Sequence, residues 1–167
     1  MSARRQRQMC IRDRILSLAK NSGASGMVLG QALDIDAETS QKELKINEIS
    51  KIQEYKTGKL ISWSCEVGPI IAEENTEPFS LYAAKIGLAF QIIDDILDVT
   101  SSSKTLGKNV GKDMDKNKAT FVSKLGLDNS KKKALELVSE ACEAISDFKS
   151  RSRNLCQIAK FIVSRKF

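Results

Sequence analysis

Apolar residues recur along this chain at the three- and four-residue intervals of a helix, and nowhere with the strict alternation of a half-buried strand. From Ile15 to Leu33 the spacing predicts a helix, closely packed or kinked at Gly23, Gly26 and Gly30. Asp34 to Leu44 is polar and turn-like and reads as a connection. Ile46, Ile49, Ile52, Leu60 and Ile61 mark the apolar stripe of a second long helix that ends near Ala72. Glu73 to Pro78 interrupts the pattern, and Thr76 is suited to cap the helix that follows. Thr100 to Gly111, rich in Ser, Gly and Lys, reads as an exposed loop. Short helical segments are expected over Asp115–Lys124 and Asn154–Ser164, with a longer one from Asn129 to Phe148 carrying Ala134, Leu135, Leu137, Val138, Ala141 and Ile145. The fold class expected is all-α, a helical bundle.

The segment between these breaks, FSLYAAKIGLAFQIIDDILDV from Phe79 to Val99, is apolar on nearly every face, as a helix at the centre of a bundle would be. It nevertheless ends in Asp94, Asp95 and Asp98. Unpaired buried charge is very costly, and neighbouring carboxylates raise one another's pKa unless a cation holds both ionised. Asp94 and Asp98 are four residues apart and share a helix face, while Asp95 is rotated by roughly 100° to the side. Paired carboxylate oxygens on one wall suit Mg²⁺, which is commonly held by one or two carboxylates together with substrate phosphates. A solvated helix end is the alternative for the three aspartates taken alone.

Composition narrows the chemistry further. The chain of 167 residues is one domain's worth, with 27 basic against 21 acidic residues for a net charge of +6. It contains no histidine, which removes Ser-His and Cys-His catalysis and His-based zinc sites. Cys10, Cys65, Cys142 and Cys156 have no C-x-x-C spacing and read as thiols of a reducing, cytoplasmic compartment. No apolar run reaches the roughly 18 to 20 uncharged residues of a membrane span. The start, MSARRQRQMCIRDR, is arginine-rich where the rest favours lysine, and MCIRDR resembles translated adapter read-through. Residues 1–14 are therefore set apart as an extraneous leader, with 15–167 as the domain. Few aromatics and no recognisable motif argue against nucleic acid, and the lysines from Lys104 to Lys133 beside the aspartates fit a small, highly charged anion better.

Other residues gather around the aspartates. Gln91 lies three positions before Asp94 with Phe90 beside it, and Gly30-Gln31-Ala32-Leu33-Asp34 sets an amide and a carboxylate at i, i+3. Polar capping at a helix C-terminus explains Gln31 and Asp34 as well. Lys56-Thr57-Gly58 places a cation and a hydroxyl before a glycine, and Gly107-Lys108, Gly111-Lys112-Asp113 and Asn117-Lys118 follow the aspartates. Taken in order, GQALDIDAE, YKTGKLI, GLAFQIIDDILDV and TLGKNVGKDMDKNKATF resemble the C-terminal half of a polyprenyl diphosphate synthase of the farnesyl or geranylgeranyl type.

The resemblance implies a prenyltransferase of the isoprenoid synthase fold, joining an allylic diphosphate to isopentenyl diphosphate with Mg²⁺. By position, Asp94, Asp95 and Asp98 match the family's second aspartate-rich motif and its metal, with Asp95 in support. Lys56, Lys108 and Lys118 match the cations that grip the diphosphate. Thr57 and Gln91 match residues whose oxygens face the developing allylic cation. A homodimer is implied for the full-length form. The family's first aspartate-rich motif and the arginines for isopentenyl diphosphate have no counterpart here, so the chain reads as an incomplete bundle, with part of the 79–99 face expected to be bare. A non-catalytic helical subunit of such a synthase, or a terpene cyclase-like protein, are the alternatives; the intact DDILD and the lysines after it favour the chain-elongating enzyme.

Overall fold

Helix α5 (Glu77–Thr105) is the axis on which the rest of the chain packs. A computed structural model describes residues 3–40, 43–105 and 120–165, and every regular element among them is helical, as the periodicity predicts. Tyr82, Ile86, Ala89, Ile93 and Ile96 follow one another at four- and three-residue steps and are buried. They meet Ala134, Leu137, Val138, Ala141 and Ile145, the inner face of α7 (Leu127–Ala144) and the residue that ends it. Alanines at 89, 134 and 141, all at 0% exposure, let the two helices approach closely. Leu135, predicted to belong to the same stripe, instead faces outward at 58% exposure.

Helix α8 (Arg153–Ser164) closes the other side of α5, and Tyr82 Oη donates to the Leu155 carbonyl at 2.8 Å. Lys85 reaches Glu140 of α7 at 2.5 Å, and that ammonium holds the Glu140 carboxyl below the usual carboxylate range. Helix α4 (Lys59–Ala72) packs along the opposite flank and binds α1 (Ala3–Ser22), where Trp63 Nε1 donates to Ser17 Oγ at 2.9 Å.

Element ends follow local chemistry. Glu73, with φ 55°, terminates α4 in the left-handed region. At the start of α5, the Thr76 carbonyl accepts from Phe79 and Ser80, while Asn75 Oδ1 takes the Glu77 N–H at 3.0 Å, so Thr76 caps through its backbone and its neighbour supplies the side chain. Thr120 caps α6 (Phe121–Leu125) reciprocally: its Oγ1 accepts from the Ser123 N–H and its own N–H donates to Ser123 Oγ.

Several boundaries differ from the sequence reading. The predicted Ile15–Leu33 helix is two helices, α1 and α2 (Met27–Thr39), turning where the Gly26 N–H donates to the Gly23 carbonyl at 2.9 Å. Helix α2 continues through the polar stretch from Asp34, because Asp34 and Ala37 find tertiary partners there. The loop expected from Thr100 begins later: α5 runs on to Thr105, with Thr100 Oγ1 donating back to the Ile96 and Leu97 carbonyls. Helix α7 ends at Ala144 and gives way to a 3₁₀ segment, Ser146–Ser152. On residues 79–99 Leu81 is exposed and Phe79, Leu88, Phe90, Leu97 and Val99 are half-buried, while Ile11, Ile15 and Leu16 of α1 and Phe161 of α8 are more exposed still.

Candidate functional site

The K-T-G block is not a plain helix. Between α3 (Ile46–Gln53) and α4 the chain makes a π turn, Glu54–Gly58. An extra residue in a turn widens the helix and re-aims its side chains, and such bulges are frequent at functional sites. Gly30 of α2 permits it: a Cβ there would lie 2.1 Å from the Lys56 backbone N and 2.5 Å from its Cα. Only a bare backbone lets α2 come this close. One turn further along α2, Asp34 Oδ2 accepts from Lys56 Nζ, both side chains being largely buried. Asp34 is thus mid-helix and ion-paired, not a cap, while Gln31 is exposed.

On the other side, Gln91 Nε2 donates to Thr57 Oγ1 at 2.9 Å, tying the π turn to α5. The turn packs against both α2 and α5, so Lys56, Thr57 and Gln91 meet at one place. Asp94 follows Gln91 by three residues on the same side of α5.

The three aspartates have different surroundings. Asp94 is half-buried, and its Oδ1 accepts from Arg165 Nη2 at 2.8 Å. Asp95 turns aside as its position on the helix requires, and its Oδ2 accepts the Phe121 N–H at 2.9 Å, holding the start of α6. Asp98 is exposed, one turn beyond Asp94. The aspartates therefore stand at the rim of the core, where the sequence suggested its interior. Among the described residues no three or more Asp, Glu, Cys or His side chains converge into a closed metal cage. Two hard carboxylates on an open wall instead suit a divalent cation that keeps waters and arrives with phosphate oxygens. Lys108 and Lys118 lie outside the described residues.

Arg165 escaped the sequence reading. Its guanidinium also sits 4.4 Å from the centre of the Phe90 ring, and its Nε donates to the Ile162 carbonyl at 3.3 Å. A basic residue just past the final helix was visible, but no local signal links it to a carboxylate 71 positions away. Burial pushes the Cys65 thiol up to about 11, and burial with a hydrogen bond to Cys156 pushes Cys142 up to about 11.

The polyprenyl synthetase family profile matches residues 9–157, beginning inside the arginine-rich start. The geranylgeranyl diphosphate synthase of Cyanophora paradoxa is 40% identical over 154 residues, covering 90% of this chain and 51% of that protein. The farnesyl diphosphate synthase of Micrococcus luteus is 38% identical over 151 residues, covering 89% and 51%. Among solved structures, an apo FPP/GFPP synthase from Zymomonas mobilis superposes with a TM-score of 0.78 at 37% identity, over 92% of this chain and 51% of that one. A geranyltransferase from Helicobacter pylori, complexed with magnesium and isoprenyl diphosphate, superposes with a TM-score of 0.72 at 31% identity, over 93% and 52%. The chain spans about half the length of the curated relatives it matches.

Proposed function

The chain belongs to the polyprenyl synthetase family, and on that premise we propose that it supplies the diphosphate-gripping wall of a Mg²⁺-dependent, chain-elongating prenyltransferase. The observation that carries the reading is the Gln91–Thr57 hydrogen bond, which draws the K-T-G turn to the side of α5 that bears Asp94. Cation, hydroxyl, amide and carboxylate thereby share one wall.

Asp94 and Asp98 would hold the cation, and Lys56, Lys108 and Lys118 would grip the diphosphate of the allylic substrate. A Mg²⁺ held there would supply positive charge against the charge that grows on the leaving diphosphate. When the allylic C–O bond breaks, its electron pair leaves with the diphosphate, which the lysines stabilise. Thr57 and Gln91 turn oxygen dipoles toward the carbocation left behind. The double bond of isopentenyl diphosphate attacks that cation, and the released diphosphate takes the proton, as suits a chain without histidine. Asp95 supports by fixing α6.

A cytoplasmic setting accompanies this reading, supported by the free thiols of Cys65, Cys142 and Cys156. No helix among the described residues is long and apolar enough to cross a membrane. The exposed apolar residues of α1 and α8 support association with another chain, a homodimer in the full-length form.

Calorimetry with geranyl diphosphate tests the site. Affinity that requires Mg²⁺ and is lost in Asp94→Ala supports it; affinity indifferent to chelation, or unchanged in the variant, refutes it.

A further inference from the structure

Arg165 follows Ser164, the last residue of α8, and turns back onto α5. Three contacts hold its guanidinium: Asp94 Oδ1 at 2.8 Å, the Ile162 carbonyl at 3.3 Å and the face of Phe90 at 4.4 Å. Its side chain is 17% exposed against 39% for Asp94, so the arginine is the more enclosed partner. A loose surface pair would have neither the ring platform nor the backbone anchor. Lys56 is matched in the same way by Asp34. Two of the charges assigned to the diphosphate wall are thus neutralised from within the chain.

A Mg²⁺ held by Asp94 would lie about 2.0–2.1 Å from a carboxylate oxygen. A guanidinium nitrogen hydrogen-bonded to that same Oδ1 would lie within a few ångströms of it, a like charge in a partly desolvated place. The two cannot be held together at low cost. We infer that Arg165 is an exchangeable counter-ion of Asp94, seated on Phe90 in the metal-free protein and expelled from the carboxylate when a divalent cation binds. The inference rests on the metal role proposed for Asp94.

Linkage gives the consequence. The metal's apparent affinity is reduced to the extent that Arg165 occupies Asp94, and metal binding loosens the end of α8 by the same factor. The sign separates this role from a structural one. Removing a structural clamp weakens the site, whereas removing a competitor strengthens it.

The test is Mn²⁺ binding to the whole chain, followed by electron paramagnetic resonance in the presence of inorganic pyrophosphate. Arg165→Gln is expected to bind Mn²⁺ roughly three- to tenfold more tightly, the range set by one partly exposed ion pair. Arg165→Lys, which keeps a charge there, stays close to wild type, and Phe90→Leu, which removes only the ring face, falls between. In Asp94→Asn binding is weakened, and Arg165→Gln adds nothing to it, since the two act as one pair. Equal or weaker Mn²⁺ binding in Arg165→Gln, with binding still weakened in Asp94→Asn, overturns the counter-ion role alone. Full binding in Asp94→Asn removes the metal assignment and this role with it. The wild-type chain gives a second readout without any substitution. The Nε–H of Arg165, slow to exchange in the metal-free protein, exchanges faster when Mg²⁺ and pyrophosphate are added; unchanged exchange in the loaded protein also overturns the inference.

Discussion

Gly30→Ala sets two opposed effects against each other at the joint that aims Lys56. Alanine is favoured over glycine inside a helix by up to about 1 kcal/mol. Against that, the new Cβ would sit 2.1 Å from the Lys56 backbone N, 1.3 Å short of the 3.4 Å at which ordinary contact begins. Its next neighbours, Lys56 Cα and Tyr55 C at 2.5 Å, are also backbone, so no flexible side chain can swing away. Overpacking of this kind costs about 1–3 kcal/mol, occasionally more, and a clash wholly with backbone belongs at the upper end. The clash wins, leaving a net loss of about 1–2 kcal/mol and a Tm lowered by about 2–8 °C for a chain of this size. Relief has to come from α2 moving off the π turn, which carries Asp34 away from Lys56 and is expected to weaken the diphosphate grip proposed for that lysine. Urea unfolding measures the first effect, and calorimetry with Mg²⁺-pyrophosphate the second. A variant as stable as the parent, with undiminished affinity, refutes the claim that the close approach of α2 shapes the site.

Tyr82→Phe removes the hydrogen bond to the Leu155 carbonyl, which keeps its partner within α8, and is expected to lower stability by about 0.5–1.5 kcal/mol, read as a shift of the urea midpoint at constant slope; an unmoved midpoint refutes it. Asp95→Asn retains an acceptor for the Phe121 N–H and stays within about 0.5 kcal/mol of the parent, whereas Asp95→Ala loses about 1 kcal/mol. Equal stability of the two would show that the cap does not matter. Cys65 and Cys142 carry thiols raised from 9.0 to about 11, so the folded protein keeps protons that the unfolded chain has lost. Stability from these groups is fully present below pH 9 and falls as pH rises toward 11. Alkylation at pH 8 followed by mass spectrometry should find both roughly 100-fold slower than in urea, since two pKa units remove that much thiolate; equal rates contradict the burial.

The helical class and the Asp94/Asp98 pair were legible along the chain because both rest on periodicity, which is local. The same is true of the Thr76 boundary and of Asp95's sideways direction, since a rotation of roughly 100° per residue is a property of any α-helix. Helix lengths were less legible. Asp34 and Thr100 are polar and read as ends, yet α2 and α5 run through them, one held by a salt bridge from another helix and the other by its own hydroxyl. The KTG motif signalled chemistry, but not that it folds as a π turn, because that depends on Gly30 lying against it from a separate helix.

The aspartates themselves divide along this line. Their sequence determined that a counter-charge was needed, because three carboxylates at the end of an apolar helix repel one another. Only the tertiary structure decided what meets them. Asp94 faces Arg165 across 71 residues and Asp95 caps Phe121 across 26, while Gln91 of the same helix meets Thr57 across 34. Separations of that size leave no periodic trace, so the partners emerge only once α5 is packed among its neighbours.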